Sequence, residues 1–180
     1  MGRSKSGLSA GEERMKRLAR NIDLLASRDE DLIRRERETE VLRRAAAAQL
    51  HALCAAFVGE LNRLLKRSEV QLDPESFDAE RYQPDMSTLM QIQVRGRIVQ
   101  IAFTATPGLV STEEFRIPYI LEGSVHAFNQ QLLDKNLVEE QLLFYTLEGR
   151  SKLWRYFDTR TYRSGSFDWD YLTTLMEEVI

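Results

Sequence analysis

The sequence predicts an α+β protein: a long N-terminal helical arm that leads into a mostly antiparallel sheet of about five strands with helices on one face. Two observations predict this architecture. No proline or glycine interrupts the chain from Glu12 to Val58, where apolar residues recur at helical spacing. After Gln83-Pro84-Asp85 the apolar period changes to two, which is typical of strands.

Three parts of the chain are predicted: a disordered tail at residues 1–11, a charged helical arm at 12–44 and an α+β domain at 45–180. The tail combines glycine and serine with scattered charge. Capping-box spacing in Ser9-Ala10-Gly11-Glu12 indicates that a helix begins nearby. The same spacing in Ser27-Arg28-Asp29-Glu30 indicates either a break and restart or a position within one continuous helix.

Residues 27–44 carry many charges, and the two signs are interleaved. The pairs Glu30/Arg34, Asp31/Arg35 and Glu40/Arg44 are four residues apart with the acid first, which stabilises a helix by a few tenths of a kcal/mol per pair. A disordered tether would contain more proline, glycine and serine. An arm that binds nucleic acid would contain fewer carboxylates. The stretch therefore predicts a solvated helix.

Four apolar residues of the arm occupy a and d positions of a heptad: Met15, Leu18, Ile22 and Leu25. The heptad is mostly polar in the middle of the arm, and from residue 46 the apolar stripe widens to suit packing on a sheet. So narrow a stripe gains little in water on its own. We therefore expect a second copy or another protein to cover these four residues.

A hairpin of residues 90–94 and 97–104 is the firmest strand prediction, with Arg95-Gly96 as its tight turn. Thr106-Pro107-Gly108 is predicted to be another turn. A third strand is predicted at 114–121, where Pro118 indicates an edge or irregular strand.

Residues 124–136 are ambiguous, but their spacing fits a helix with Ser124 as its N-cap. A second hairpin is predicted at about 139–147 and 152–158. Asp168 is predicted to cap a final helix. The apolar side of that helix is predicted to consist of Trp169, Leu172, Leu175, Met176 and Val179.

The sequence contains no nucleophile elbow, phosphate-binding loop, dinucleotide fingerprint or zinc-protease motif. We therefore predict no catalytic, cofactor-binding or metal-binding residues. An enzyme with a composite site, involving His126, Tyr145 or Asp158, is kept as an alternative. His51 and Cys54 have the spacing of metal ligands, but zinc needs four ligands or three plus water. The pair is explained equally well if His51 is a half-buried polar residue and Cys54 a buried thiol without a ligand.

The stretch from Leu153 to Tyr171 is rich in aromatic residues with arginines between them. Such residues can stack on single-stranded nucleic acid, and they are also typical of protein-binding hot spots. A third interpretation places Trp154, Phe157 and Trp169 in the core. The candidate protein-binding residues here are Trp154, Arg155, Tyr156, Arg160, Tyr162 and Arg163.

Charge is unevenly distributed along the chain. The first 67 residues contain 15 Lys and Arg against 10 Asp and Glu, whereas the rest contains 10 against 18. The acidic second part disfavours nucleic-acid binding there.

A single cysteine excludes an intramolecular disulfide and favours a cytoplasmic location. Residues 45–61, the most apolar run, predict a buried helical face rather than a membrane span, because Gln49 and His51 interrupt them.

The predicted order over about residues 45–180 is helix, three strands, helix, two strands, helix. This order is similar to that of type III secretion chaperones, a resemblance that implies a dimer binding an extended effector segment. The basic N-terminal arm departs from that pattern.

The leading prediction is a non-enzymatic cytoplasmic protein, an adaptor that self-associates or docks a protein partner through its arm. The alternatives are a nucleic-acid-binding protein, a chaperone of the type III secretion kind and an enzyme with a composite site. No cofactor, metal or membrane is expected.

Overall fold

The computed structural model describes residues 9–180 and confirms the α+β class. A long N-terminal helix is followed by a seven-stranded antiparallel sheet, on which a C-terminal helix packs. The helices are α1 (Ala10–Leu64), α2 (Gln130–Asp134) and α3 (Trp169–Val179), with a 3-10 turn at Ala79–Arg81. The strands are β1 (Gln71–Asp73), β2 (Thr88–Val94), β3 (Arg97–Val110), β4 (Tyr119–Phe128), β5 (Glu140–Glu148), β6 (Ser151–Asp158) and β7 (Arg163–Ser166).

Helix α1 begins with the predicted capping box. The backbone N–H of Ser9 donates to Glu12 Oε2 at 2.8 Å, and Ser9 Oγ accepts from the N–H of Glu12 at 3.2 Å. Ala10 and Gly11, predicted to be disordered, are therefore helical, and the rest of the predicted tail lies outside the described residues. The helix is continuous through Ser27–Glu30, which settles the choice between a break and an unbroken helix.

The contacts divide the chain into two units, the first ending at Glu38 and the second being Thr39–Ile180. The predicted boundary at residues 44/45 lies inside the second unit. Arg43 shows why: its guanidinium donates to the carbonyl oxygens of Thr106 and Ile120, the latter at 3.1 Å. This arginine is therefore part of the sheet domain rather than of a free arm.

The seven strands follow one another across the sheet in sequence order, each antiparallel to the next. The prediction of about five strands missed β1 and β7, the two edge strands. They have three and four residues, so neither is long enough to show an alternating pattern. The predicted turn at Arg95-Gly96 is confirmed, with φ values of 48° and 79°.

Strand β4 differs from its prediction. It begins after Pro118, not at residue 114, and continues to Phe128 through the segment expected to be helical. Pairing on both sides decides this, since Val125 lies opposite Ile101 and Gln141 in the neighbouring strands. Ser124 therefore lies within a strand.

The helix after β4 is only five residues long, and its N-cap is Asn129, which accepts from the N–H of Leu132 at 2.9 Å. The predicted turn at Thr106-Pro107-Gly108 instead lies within β3. The register of β3 against β4 shifts there, between Ala105 and Val110.

One face of the sheet packs against residues 46–58 of α1 and against α3, forming the main core. Asp168 caps α3 as predicted, accepting from the N–H of Tyr171 at 3.0 Å. Trp169 does not belong to the buried side of α3 as predicted, because it is exposed; its ring lies roughly perpendicular to that of Phe57, with the centroids 6.2 Å apart. Tyr171 is buried instead.

An 18-residue window of α1 has a mean hydropathy of 1.2, enough by length and composition to cross a membrane. Residues of α1 from Ala46 to Val58 form part of the main core with the sheet. That window is 39% buried within the structure.

Candidate functional site

The arm, residues 10–38, has an apolar stripe that is exposed along its length. None of its residues is buried, and all but Asp31 are exposed. The predicted residues Met15, Leu18, Ile22 and Leu25 are 54–67% exposed, and Leu32 continues their spacing at 58%. We call these five residues the arm stripe.

The charges of the arm pair differently from the prediction. Arg34 contacts Asp31 at 2.9 Å and Glu38 at 3.9 Å, in place of the expected Glu30. The predicted pair of Glu40 and Arg44 is present at 3.1 Å, in the second unit. Exposed pairs of this kind stabilise a helix only slightly. Leu24 and Ile33 of the arm are also at least half exposed but lie off the arm stripe.

Trp154 of β6 is a core residue and not a surface contact. Its side chain is buried, and its indole N–H donates to the carbonyl oxygen of Ala46 in α1 at 2.9 Å. Its ring meets Phe103 at 4.9 Å and Tyr145 at 5.4 Å, both edge-on. The interpretation of Trp154 as a protein-binding residue is corrected by this burial, because a partner would have to unpack the core to reach it.

Tyr156 and Arg155 lie on opposite faces of β6, since side chains alternate along a strand. Tyr156 is half-buried and stacks on Tyr171 of α3, with ring centroids 4.0 Å apart and an interplanar angle of 1°. Arg155 lies on the face away from the helices, 3.8 Å from Glu148 Oε2. The two residues therefore do not present one common surface.

Arg160, Tyr162 and Arg163 lie in and beside the turn between β6 and β7 and are exposed. Arg160 forms ion pairs with Glu139 and with Asp158, so its charge is already balanced. Tyr162 is the most exposed aromatic ring of this stretch. These three residues are accessible, and the ring of Tyr162 meets the buried ring of Phe157 edge-on at 6.2 Å.

The residues named for a composite enzyme site do not converge. Tyr145 faces the helices and is buried, which raises its pKa. His126 lies on the other face of the sheet, by strand alternation. Partial burial raises the pKa of Asp158, but hydrogen bonds from Arg160 and Thr161 outweigh this effect and lower the pKa overall. Asp158 thus caps a turn.

His51 and Cys54 have separate structural roles. His51 Nε2 lies 2.7 Å from the carbonyl oxygen of Pro74, and its ring stacks on Phe77. Cys54 is buried, and burial raises its pKa to about 12, so its thiol is neutral and unreactive at neutral pH. Within residues 9–180, no group of three or more His, Cys, Asp or Glu residues is placed to hold a metal ion.

A groove of about 530 Å³ lies between β6, β7 and α3 and is lined by acidic residues that include Asp158, Asp168 and Glu178. Partial desolvation, the charge of Glu139 and that of Asp158 raise the pKa of Glu178, while Arg160 opposes them. The ionised form of Glu178 is therefore disfavoured in the folded protein.

We expect Glu178→Gln to raise the melting temperature at pH 7–8 by about 1–2 °C, a small effect because exposed charges are screened. A raised folded-state pKa means that stability is lost as pH rises through the carboxyl range. The advantage of the variant should vanish at a pH below that range, where the carboxyl group of Glu178 is protonated and is as neutral as the glutamine amide. Melting curves at several pH values measure this, with Glu177→Gln as the control for removal of one charge. An equal effect of both variants would contradict the assignment.

Comparisons with protein-family models, curated proteins and solved structures found no match to this chain. The similarity to type III secretion chaperones therefore stays a prediction based on element order.

Proposed function

We propose that the protein self-associates through its arm, and that two copies pair their arm stripes in a parallel two-stranded coil. The observation that supports this proposal is the arm stripe itself, five large apolar side chains more than half exposed along one helix. In this proposal the arm is an assembly device that joins two chains, in keeping with a non-enzymatic protein-binding role.

The spacing of the arm stripe favours another helix as its partner. Its first four residues are separated by three, four and three positions, and Leu32 follows Leu25 by one full heptad; a seven-residue repeat of this kind keeps a narrow seam facing one neighbouring helix. From Met15 to Leu32 the stripe extends over about 26 Å at the rise of an α-helix. A helix that packs on a sheet has a wider apolar face, as α1 has from Ala46 to Val58.

The positions beside the stripe favour a parallel pair of identical arms. The heptad g positions are mostly arginine, whereas the e positions are small or apolar. They are Arg14, Asn21, Arg28 and Arg35 at g, and Ala19, Ala26 and Ile33 at e. A parallel pair places g beside e of the other helix, so the arginines at g do not face one another. An antiparallel pair would place arginine beside arginine.

Asp29 occupies an a position and interrupts the stripe between Leu25 and Leu32. In a parallel pair its carboxylate lies in the hole that includes Arg28 of the partner subunit, which provides an opposite charge. A polar residue at one a position also fixes the register of the two helices. The interruption is therefore compatible with pairing, and it would specify a single alignment.

We expect sedimentation equilibrium of the full-length protein to give twice the chain mass of 20.9 kDa. Ile22→Asp should shift the protein to a single chain, because it places a charge at the centre of the apolar seam. Leu24→Asp is the matched control, since Leu24 is as exposed as Ile22 but lies on the opposite side of the helix. That control should remain a dimer. A single-chain mass for the unaltered protein, or equal dissociation by both variants, would overturn the proposal.

The orientation of the pair has its own test. In a parallel pair, residue 18 of one copy faces residue 18 of the other, so Leu18→Cys should form an intermolecular disulfide under mild oxidation. Cys54 does not interfere because it is buried. If Leu18→Cys remains dimeric by sedimentation but does not cross-link, the pair is antiparallel and the parallel alignment is wrong.

A further inference from the structure

The sheet face away from α1 and α3 has an aromatic cluster of its own. It consists of Phe115, Tyr119, Phe144 and Phe157, all buried. Phe115 belongs to the loop between β3 and β4 and stacks on Phe144 with ring centroids 4.4 Å apart. The loop is closed by hydrogen bonds between Thr112 and Phe115, including N–H of Thr112 to the Phe115 carbonyl at 2.9 Å. A well-anchored loop therefore lies over one end of this open face.

Beside this cluster lies a groove of about 690 Å³, bounded by the anchored loop and by strands β3, β4 and β5. We call it the sheet groove. Leu142 and the rings of Phe144 and Phe157 provide its apolar lining. Its volume is within the range of pockets that hold small ligands or a short piece of peptide. It lies wholly within the second unit, so binding in the sheet groove is independent of the arm and of its pairing.

Four carboxylates line the sheet groove: Glu113, Glu114, Glu122 and Glu140. They come from the anchored loop, β4 and β5, and thus from distant parts of the sequence. None of the four lies within 4.0 Å of a Lys, Arg or His nitrogen in residues 9–180. The groove therefore combines an apolar lining with negative charge that the described chain leaves unbalanced.

We propose that the sheet groove binds an arginine or lysine side chain from an extended segment of another protein. These side chains have an apolar stem and a cationic end, which match the apolar lining and the four carboxylates. Because the groove is open along the sheet face, the segment that carries the side chain can continue beyond it.

The same observations argue against two other ligands. A phosphate backbone would be repelled by four carboxylates that have no cationic partner within the described residues. A bare divalent cation needs a set of ligands converging on one point, and residues 9–180 contain no such group. A basic peptide with apolar neighbours is therefore the ligand that the groove fits best.

The test uses the full-length protein and two fluorescein-labelled peptides of equal length, one alternating arginine and leucine and the other alternating glutamate and leucine. We expect saturable binding of the arginine peptide alone, by fluorescence anisotropy. Glu122→Gln combined with Glu140→Gln should weaken this binding about tenfold or more, because charge-assisted contacts are lost. The matched control is Glu69→Gln combined with Glu177→Gln, two exposed acids outside the groove, and it should change affinity less than twofold.

Equal weakening by both pairs of variants would mean general attraction by net charge, and it would overturn the proposal. Binding of neither peptide, or of both equally, would do the same. Spermidine at the concentration of the peptide should displace little of it, since it lacks the apolar neighbours. Full displacement would show that the groove takes small cations rather than a protein segment. Circular dichroism and melting curves of each variant confirm that the fold is retained.

Discussion

Gly123→Ala is expected to destabilise the protein by about 3 kcal/mol or more, because this position has no room for a methyl group. A Cβ built at Gly123 would lie 1.9 Å from the carbonyl oxygen of Ala102 and 2.6 Å from the Cα of Phe103, both backbone atoms of β3. Side chains can rotate away from a new atom, whereas the backbone of a paired central strand cannot. Urea denaturation followed by circular dichroism measures the loss in the free energy of unfolding.

Gly59→Ala is the matched control for this change. Gly59 lies in α1, and a Cβ there meets no atom within 4 Å. Alanine should therefore stabilise the protein by about 0.5–1 kcal/mol, since glycine is unfavourable inside a helix. If Gly123→Ala changed stability by less than about 0.5 kcal/mol, the close approach of β3 and β4 would be wrong.

Trp154→Ala is expected to cost about 3–5 kcal/mol, the usual range for deleting a buried aromatic side chain. The change leaves a cavity beside Phe103 and Tyr145 and removes the hydrogen bond to the Ala46 carbonyl.

The second tryptophan provides the comparison. Trp169 is 42% exposed, and its ring centroid lies 6.2 Å from that of Phe57, so Trp169→Ala should cost about 1 kcal/mol. Each variant also leaves a single tryptophan whose fluorescence reports unfolding. Equal losses for the two variants would mean that Trp154 does not connect α1 to the sheet as described.

The parts of the fold that sequence predicts well depend on local chemistry. The capping box at Ser9, the turn at Arg95-Gly96 and the cap at Asp168 each involve residues within four positions of one another. The extent of β4 depends instead on partners in β3 and β5 that are distant in sequence. For that reason its helical spacing was misleading: Val125 and Phe128 belong to β4, whereas Leu132 and Leu133 belong to the short helix α2.

The candidate sites divide in the same way. A heptad is a local pattern, so Met15, Leu18, Ile22 and Leu25 were predicted from spacing alone, and their exposure was then observed. Alternation along β6 separates Trp154 from Arg155, and this signal was available in the sequence. The sheet groove was not predictable, since only the folded loop brings Glu113 and Glu114 near Glu140.

The sequential order of the strands also has a consequence for how the chain acquires its structure. Each strand pairs with the next one along the chain, so the sheet can grow through short loop closures. Helix α1 differs, because the hydrogen bond from the Trp154 indole N–H to the Ala46 carbonyl joins residues 108 positions apart. During synthesis the apolar side of α1 is therefore made first and covered last. Until β6 emerges, that side is open to chaperones and to other nascent chains.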